Sequence, residues 1–377
     1  MSIMCRFLEG CRKGKTQVVE DYLEGGIIDK KDLSYRDLNG DTPLIIASSK
    51  GYSELVKILL KYGVDPRDTD GSEYSMVIAS REGHFEIVSM ILNFLEGDYL
   101  NKKLQGEKSL IEATKNRHMD IIELLLKNGV NIETTNYSRK SALMISCSKG
   151  FDEITKFLLE YGANPNSSNY EKITPLHKAA ERGNLRMIKL LLTYGANIED
   201  KDCTGNSILH YASKKGKYEI VRYLLENGAD INATGNSGIT PLHGATLYNH
   251  LEVVKILLEQ GADTEVRYGY DLVTPLHIAC QGGYPDIVIE LLENGADINS
   301  WSRSSSTPLM EVVTYGLSED RMEIVEILID YNADITITDN YRRDFLSIVN
   351  DQNDIDKISA MIDRHKRKFN VKPCCKK

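Results

Sequence analysis

The sequence predicts an all-α solenoid of stacked helix-turn-helix units joined by hairpin-like turns. Three observations predict it. First, a pentad recurs: ITPLH at Ile173–His177 and Ile239–His243, VTPLH at Val273–His277, with a shorter echo, SILH, at Ser207–His210. Aligned on its threonine, Thr42, Tyr74, Lys108, Ser141, Thr174, Ser207, Thr240, Thr274, Thr307 and Asp344 form one column, in steps of 32, 34, 33, 33, 33, 33, 34, 33 and 37 residues. Such a period is the mark of a repeat architecture. Second, small residues (Ala47, Ala79, Ala113, Ser146, Ala179, Ala212, Ala245, Ala279) and glycines (Gly51, Gly83, Gly150, Gly183, Gly216, Gly283) recur in phase with it. Third, the stretch after each glycine carries apolar residues at helical spacing, such as Ile220, Val221, Leu224 and Leu225, which mark one face of a helix.

The elements follow in chain order. Residues 1–37 form an N-terminal segment in which Phe7–Gly26 reads as a degenerate helix pair capping that end. Residues 38–363 hold ten units. Each opens on Thr-Pro, where Thr caps and Pro in the first turn loses no intrahelical bond. The first helix is short and stops near the glycine. The second ends at a further glycine (Gly63, Gly129, Gly162, Gly195, Gly228, Gly261, Gly295) suited to a left-handed cap. An extended turn leads to the next unit. A repeat of this size cannot build a core alone, but stacked neighbours can. The second unit lacks the pentad and has Leu95 in place of the second glycine, and the fourth reads SALM. The ninth carries a four-residue insertion near Gly316–Met322, expected as a surface bulge. The tenth is polar and degenerate, as a solvent-facing cap should be. Residues 364–377 read as a basic, disordered tail.

Bulk properties narrow the function. The chain has 377 residues, 41% of them hydrophobic, and a net charge of −9. That balance does not suit nucleic acid as a partner. No run approaches 18 apolar residues, and the N-terminus has no signal-peptide pattern. Cys5, Cys11, Cys147, Cys203, Cys280, Cys374 and Cys375 show no ligand spacing, which fits a reduced, cytoplasmic setting, with the nucleus as the alternative. Walker A, GxGxxG, HExxH and GxSxG patterns are absent from the sequence, so no catalytic residue, metal ligand or cofactor is assigned. The recurring His177, His210, His243 and His277 cannot share one metal, because packed helices lie roughly 8–10 Å apart and zinc ligands about 2 Å from the ion.

TPLHKAAERGN, LLLTYGANIE, TPLHGAT, LLENGADIN and TPLHIAC resemble the ankyrin repeat, over roughly Gly40 to Ile362. The resemblance implies an ankyrin-repeat α-solenoid without catalysis of its own, a protein-protein interaction module, scaffold or adaptor, and a monomer. It also implies that the pentad threonine and histidine hydrogen-bond locally, and that a partner protein or peptide docks on the concave side, along the turn tips and the first-helix edge. Those positions vary between units here. The residues assigned to the partner are Tyr137, Arg139, Lys140, Lys149, Tyr170, Arg182, Lys214, Lys215, Tyr248, Tyr270, Trp301 and Tyr315, with a basic middle and an aromatic C-terminal end; Tyr, Trp and Arg are enriched in hot spots. Trp301 lies in a Ser-rich turn where packing gives little reason for it. Asn232 and Asn299 resemble ankyrin asparagines that a hydroxylase modifies. An alternative function is recruitment to a membrane surface or the nucleus by the basic tail with Cys374 and Cys375.

Overall fold

The structure, a computed structural model, describes residues 3–68, 73–314 and 316–370. The chain divides into two compact units: residues up to Tyr170 with Lys189–Ala196, and Glu171–Ile188 with the residues from Asn197 on.

The first unit contains α1 (Ile3–Arg12), α2 (Thr16–Glu24), α3 (Pro43–Lys50), α4 (Ser53–Lys61), α5 (Ser75–Glu82), α6 (Phe85–Phe94), α7 (Tyr99–Lys115), α8 (Met119–Lys127), α9 (Ala142–Lys149) and α10 (Asp152–Glu160). Odd-numbered helices pack on odd and even on even, α1 on α3 on α5 on α7 on α9 and α2 on α4 on α6 on α8, giving two parallel rows. The pair α1 and α2 packs on α3 and α4 and places Phe7, Leu8, Cys11 and Val19 in the core.

In the second unit α11 (Pro175–Arg182) is followed by α12 (Leu185–Thr193), which ends in the first unit, then α13 (Ile208–Lys214), α14 (Tyr218–Glu226), α15 (Pro241–Leu247), α16 (Leu251–Glu259), α17 (Pro275–Gly282), α18 (Pro285–Glu293), α19 (Pro308–Thr314), α20 (Glu319–Asp330), α21 (Phe345–Ile348) and α22 (Gln352–Asn370). The first helices α11, α13, α15, α17, α19 and α21 form one row and α14, α16, α18, α20 and α22 the other. Among the described residues there is no named strand. Antiparallel bridges close three turns, at Thr135–Ser141, Lys201–Ser207 and Tyr268–Val273.

Local chemistry sets these boundaries. Thr174 and Thr240 accept the backbone N–H three residues on, the N-cap bond expected of the anchor column. Gly183 at φ +79° and Gly228 at φ +86° occupy the left-handed positions that stop the first and second helices. The small column is fully buried at Ala47, Ala179, Ala212, Ala245 and Ala279, where adjacent helices approach closely.

Three expectations need correction. Lys108 does not open a helix, because α7 starts nine residues earlier. Asp98 caps it by accepting the Asn101 N–H at 3.2 Å, and Leu100–Lys108 holds mostly helix formers (Leu, Lys, Gln, Glu) that outweigh Asn101 and Gly106, with no Pro to break them. The four-residue insertion in the ninth unit is only partly a bulge. Ser318 caps α20, which gains a turn, and Arg321 ties it back by donating to the carbonyls of Gly316 (3.0 Å) and Gln281 (2.8 Å). The boundary at 363/364 falls inside α22, which runs to Asn370. Arg364 pairs with Glu326 at 3.0 Å and His365 lies 3.2 Å from Asp330, so α20 holds the first residues of the expected tail.

Candidate functional site

The pentad histidines come first, because their recurrence invites a chemical reading. His177 Nδ1 accepts the Thr174 N–H at 3.2 Å and lies 2.8 Å from its hydroxyl. That arrangement leaves the proton on Nε2, which donates to the Asn206 carbonyl at 3.3 Å in the next turn. His210 and His277 repeat the pattern, reaching the carbonyls of Ile239 and Ser306 at 3.1 Å. His243 departs from it. Its Nε2 faces the carbonyls of Val266 and Val273 without reaching hydrogen-bond geometry. The following turn is one residue longer, as the step of 34 from Thr240 to Thr274 shows, and Tyr268 packs on the ring at 5.5 Å instead.

Desolvation pushes all four imidazoles below the ordinary histidine value, His243 to about 4. They are neutral joints between a cap and a neighbouring turn. The buried Cys11 and Cys147 thiols are pushed up to about 12 by desolvation, which keeps them protonated. Among the described residues no group of three or more His, Cys, Asp or Glu side chains is placed to hold a metal.

A second set of joints lies at the helix-helix turns. His118 Nε2 bonds to the Arg81 carbonyl at 2.9 Å and His250 Nε2 to the Lys214 carbonyl at 3.0 Å. Each ring lies against the preceding unit's glycine, and a Cβ on Gly216 would come within 2.6 Å of His250. In the second unit the hairpin tips are laced by backbone bonds: Cys203 N–H to Glu171, Asn236 to Thr204, Gly269 to Ser237, Arg303 to Asp271 and Asn340 to Ser304. Asn232 and Asn299 strengthen the same seam, their carboxamide oxygens accepting the N–H groups of Asp263 (2.9 Å) and Asp334 (2.8 Å).

With the scaffold accounted for, the variable positions remain. Tyr137, Arg139, Lys140, Lys149 and Tyr170 belong to the first unit; Arg182, Lys214, Lys215, Tyr248, Tyr270 and Trp301 belong to the second. Tyr315 lies outside the described residues. Tyr137, Tyr170 and Tyr270 are 95%, 71% and 75% exposed. Several sit under a cation from the adjacent turn or helix: Arg139 lies 5.7 Å from the Tyr170 ring, Lys214 5.2 Å from Tyr248 and Arg303 4.0 Å from Tyr270. Trp301 does have a packing reason. Arg267 stacks on its indole at 4.3 Å and donates to its carbonyl.

Arg267 and Arg303 escape a residue-by-residue reading. The signal was present in the spacing, since each lies 34 or 33 residues, one repeat, from the aromatic it covers.

The second unit also has a cleft of about 450 Å³ between α13, α15 and their turns. Tyr211, Lys214, Ile239, Gly244, Leu247, Tyr248 and Tyr268 are among the residues that line it. Of these, the sequence reading selected Lys214 and Tyr248. The missed sign was Gly244 itself, which stands where neighbouring units have Lys178, Tyr211 and Ile278.

Among the described residues no helix is long and apolar enough to cross a membrane. The family model described as ankyrin repeats (3 copies) matches residues 7–103, 76–169, 167–235 and 266–339, and a single-repeat model matches 237–268. The Arabidopsis thaliana potassium channel AKT2/3 is 34% identical over 117 residues, 30% of this chain and 14% of the channel. The Caenorhabditis elegans ankyrin repeat and KH domain-containing protein mask-1 is 29% identical over 153 residues, 33% of this chain and 6% of that protein. The chain thus spans a small part of either relative. The solved ankyrin repeat domain of Bcl-3 aligns with a TM-score of 0.52 and 26% identity, over 58% of this chain and 97% of that domain. Matched by family models along most of its length, and folded as helix pairs joined by hairpin-like turns, the chain belongs to the ankyrin-repeat family, whose repeats serve as protein-protein interaction modules.

Proposed function

We propose that this protein is a scaffold or adaptor that acts in the cytoplasm and binds a partner protein on the face formed by its first helices and hairpin tips, the concave side of the family's fold. One observation carries the reading. Scaffold positions such as Thr240, Leu242, His243 and Ala245 are buried, while the intervening variable positions hold exposed aromatics beside cations. An aromatic ring held under a guanidinium or ammonium group is preorganised, and preorganised aromatic and Arg side chains are what interface hot spots use.

Within the second unit the surface comprises Arg182, Lys214, Lys215, Tyr248, Tyr270 and Trp301. Tyr248 is 47% and Trp301 56% exposed. The test is the triple variant Lys214→Glu, Lys215→Glu, Trp301→Ala, used as bait beside the wild type in cross-linked pull-downs from native cells. Partners recovered with wild type and lost with the folded variant support the reading. An unchanged set of partners from a variant with wild-type circular dichroism refutes it.

A further inference from the structure

In most units the residue after the pentad histidine carries a side chain, half-buried at Lys178 and Tyr211 and buried at Ile278 and Glu311 in the second unit. Gly244 interrupts that row. A Cβ built on it would touch the backbone and Cβ of Lys214 at 3.8–4.0 Å, ordinary van der Waals contact, so a side chain fits there without a clash. Gly244 lines the cleft together with Tyr211, Tyr248, Tyr268 and Leu247. Leu247 and Tyr248 are 44% and 47% exposed. About 450 Å³ lies within the roughly 300–1,000 Å³ range of sites that enclose a ligand group.

The charges around the cleft are uneven. On α11 and at the end of α13 stand Lys178, Arg182, Lys214 and Lys215 against a single carboxylate, Glu181, which pairs with Lys178 at 2.8 Å. Asp202, at the cleft's edge, is saturated: it accepts the N–H groups of Thr204 and Asn206 and the Tyr211 hydroxyl at 2.8 Å. Of the charged residues that line the cleft itself, Lys214 is the cation, followed in sequence by Lys215, while Glu171 and Asp202 are carboxylates, so an acidic segment is accommodated on the Lys214 side.

We propose that the Gly244 cleft takes one aromatic side chain of an acidic peptide segment, whose carboxylates meet Lys214 and Lys215. This rests on the partner-binding reading and specifies its ligand. The ring enters between three tyrosines, which offer faces and edges for stacked and T-shaped contact. The carboxylates complement the charge of Lys214 and Lys215.

The test selects a displayed library of random dodecapeptides on the wild-type protein. It then measures the winners by fluorescence anisotropy on wild type, on Gly244→Ile and on Lys214→Glu/Lys215→Glu. Isoleucine has a precedent in the equivalent Ile278. It also replaces a helix-interior glycine where a Cβ has room, so the variant keeps the fold while filling the cleft; thermal unfolding checks this. Expected winners combine Trp, Phe or Tyr with Asp or Glu and lose about tenfold or more in affinity on either variant, the scale of a hot-spot loss. Winners that bind Gly244→Ile as tightly as wild type overturn the cleft proposal and leave partner binding standing. Winners without acidic residues overturn it as well. No enrichment overturns both.

Discussion

Acidification should destabilise this protein through His243 well before its carboxylates titrate. Burial holds that imidazole neutral, with a folded-state value of about 4 against an ordinary 6.5. The folded value lies below the unfolded one. The contribution is therefore complete above pH 6.5, declines as pH falls through the window from 6.5 to about 4, and is lost below it. Each pH unit inside that window costs about 1.4 kcal/mol per group. Moving from pH 7 to pH 5 crosses about 1.5 units of it, or ~2 kcal/mol from His243 alone. His177, His210 and His277 are shifted in the same direction by the same cause and steepen the fall. Carboxylates, with ordinary values near 4, add little above pH 5. The assay is urea unfolding at pH 7, 6 and 5 for wild type and His243→Asn, which keeps a neutral acceptor facing Thr240. The wild type should lose stability at each step, and the variant should lose ~2 kcal/mol less between pH 7 and 5. Equal pH slopes in the two proteins, or a wild type flat across the range, would refute the assignment.

Other perturbations test the scaffold. Thr240→Ala removes the cap on the His243 N–H and the hydroxyl at 2.8 Å from Nδ1, and should cost about 1 kcal/mol or more in chemical denaturation. Gly216→Ala and Gly228→Ala both place a side chain at positive φ, but only at Gly216 does a ring stand in the way. Gly228→Ala should cost the left-handed strain of roughly 1–2 kcal/mol, and Gly216→Ala measurably more, read from paired melting curves. A double-mutant cycle on Arg267 and Trp301 should return a coupling of about 0.5–1 kcal/mol, the size of an exposed cation–π pair, and near zero if the stack does not persist in solution.

The repeat is legible in the amino-acid order alone. The anchor threonines, the glycines that only a left-handed cap requires, and the Leu and Ala columns act through contacts within a unit or with the next one. Periodicity therefore specifies nearly every helix and marks the pentad histidines as joints. Where local chemistry contradicts the period, the period loses. Asp98 and the helix formers behind it start α7 early, and Arg321 folds most of an insertion back as an extra turn.

Which contacts the variable positions make is set by tertiary packing. Whether Trp301 is bare or stacked depends on Arg267, one repeat away in sequence but in contact across adjacent turns. Whether Gly244 is a neutral vacancy in a column or part of a cleft depends on Tyr211, Tyr248 and Tyr268, which line the same space from different elements. A repeat pattern states which positions are free to vary. It does not state which varied side chains meet, because that is a property of the space between units and not of any one of them.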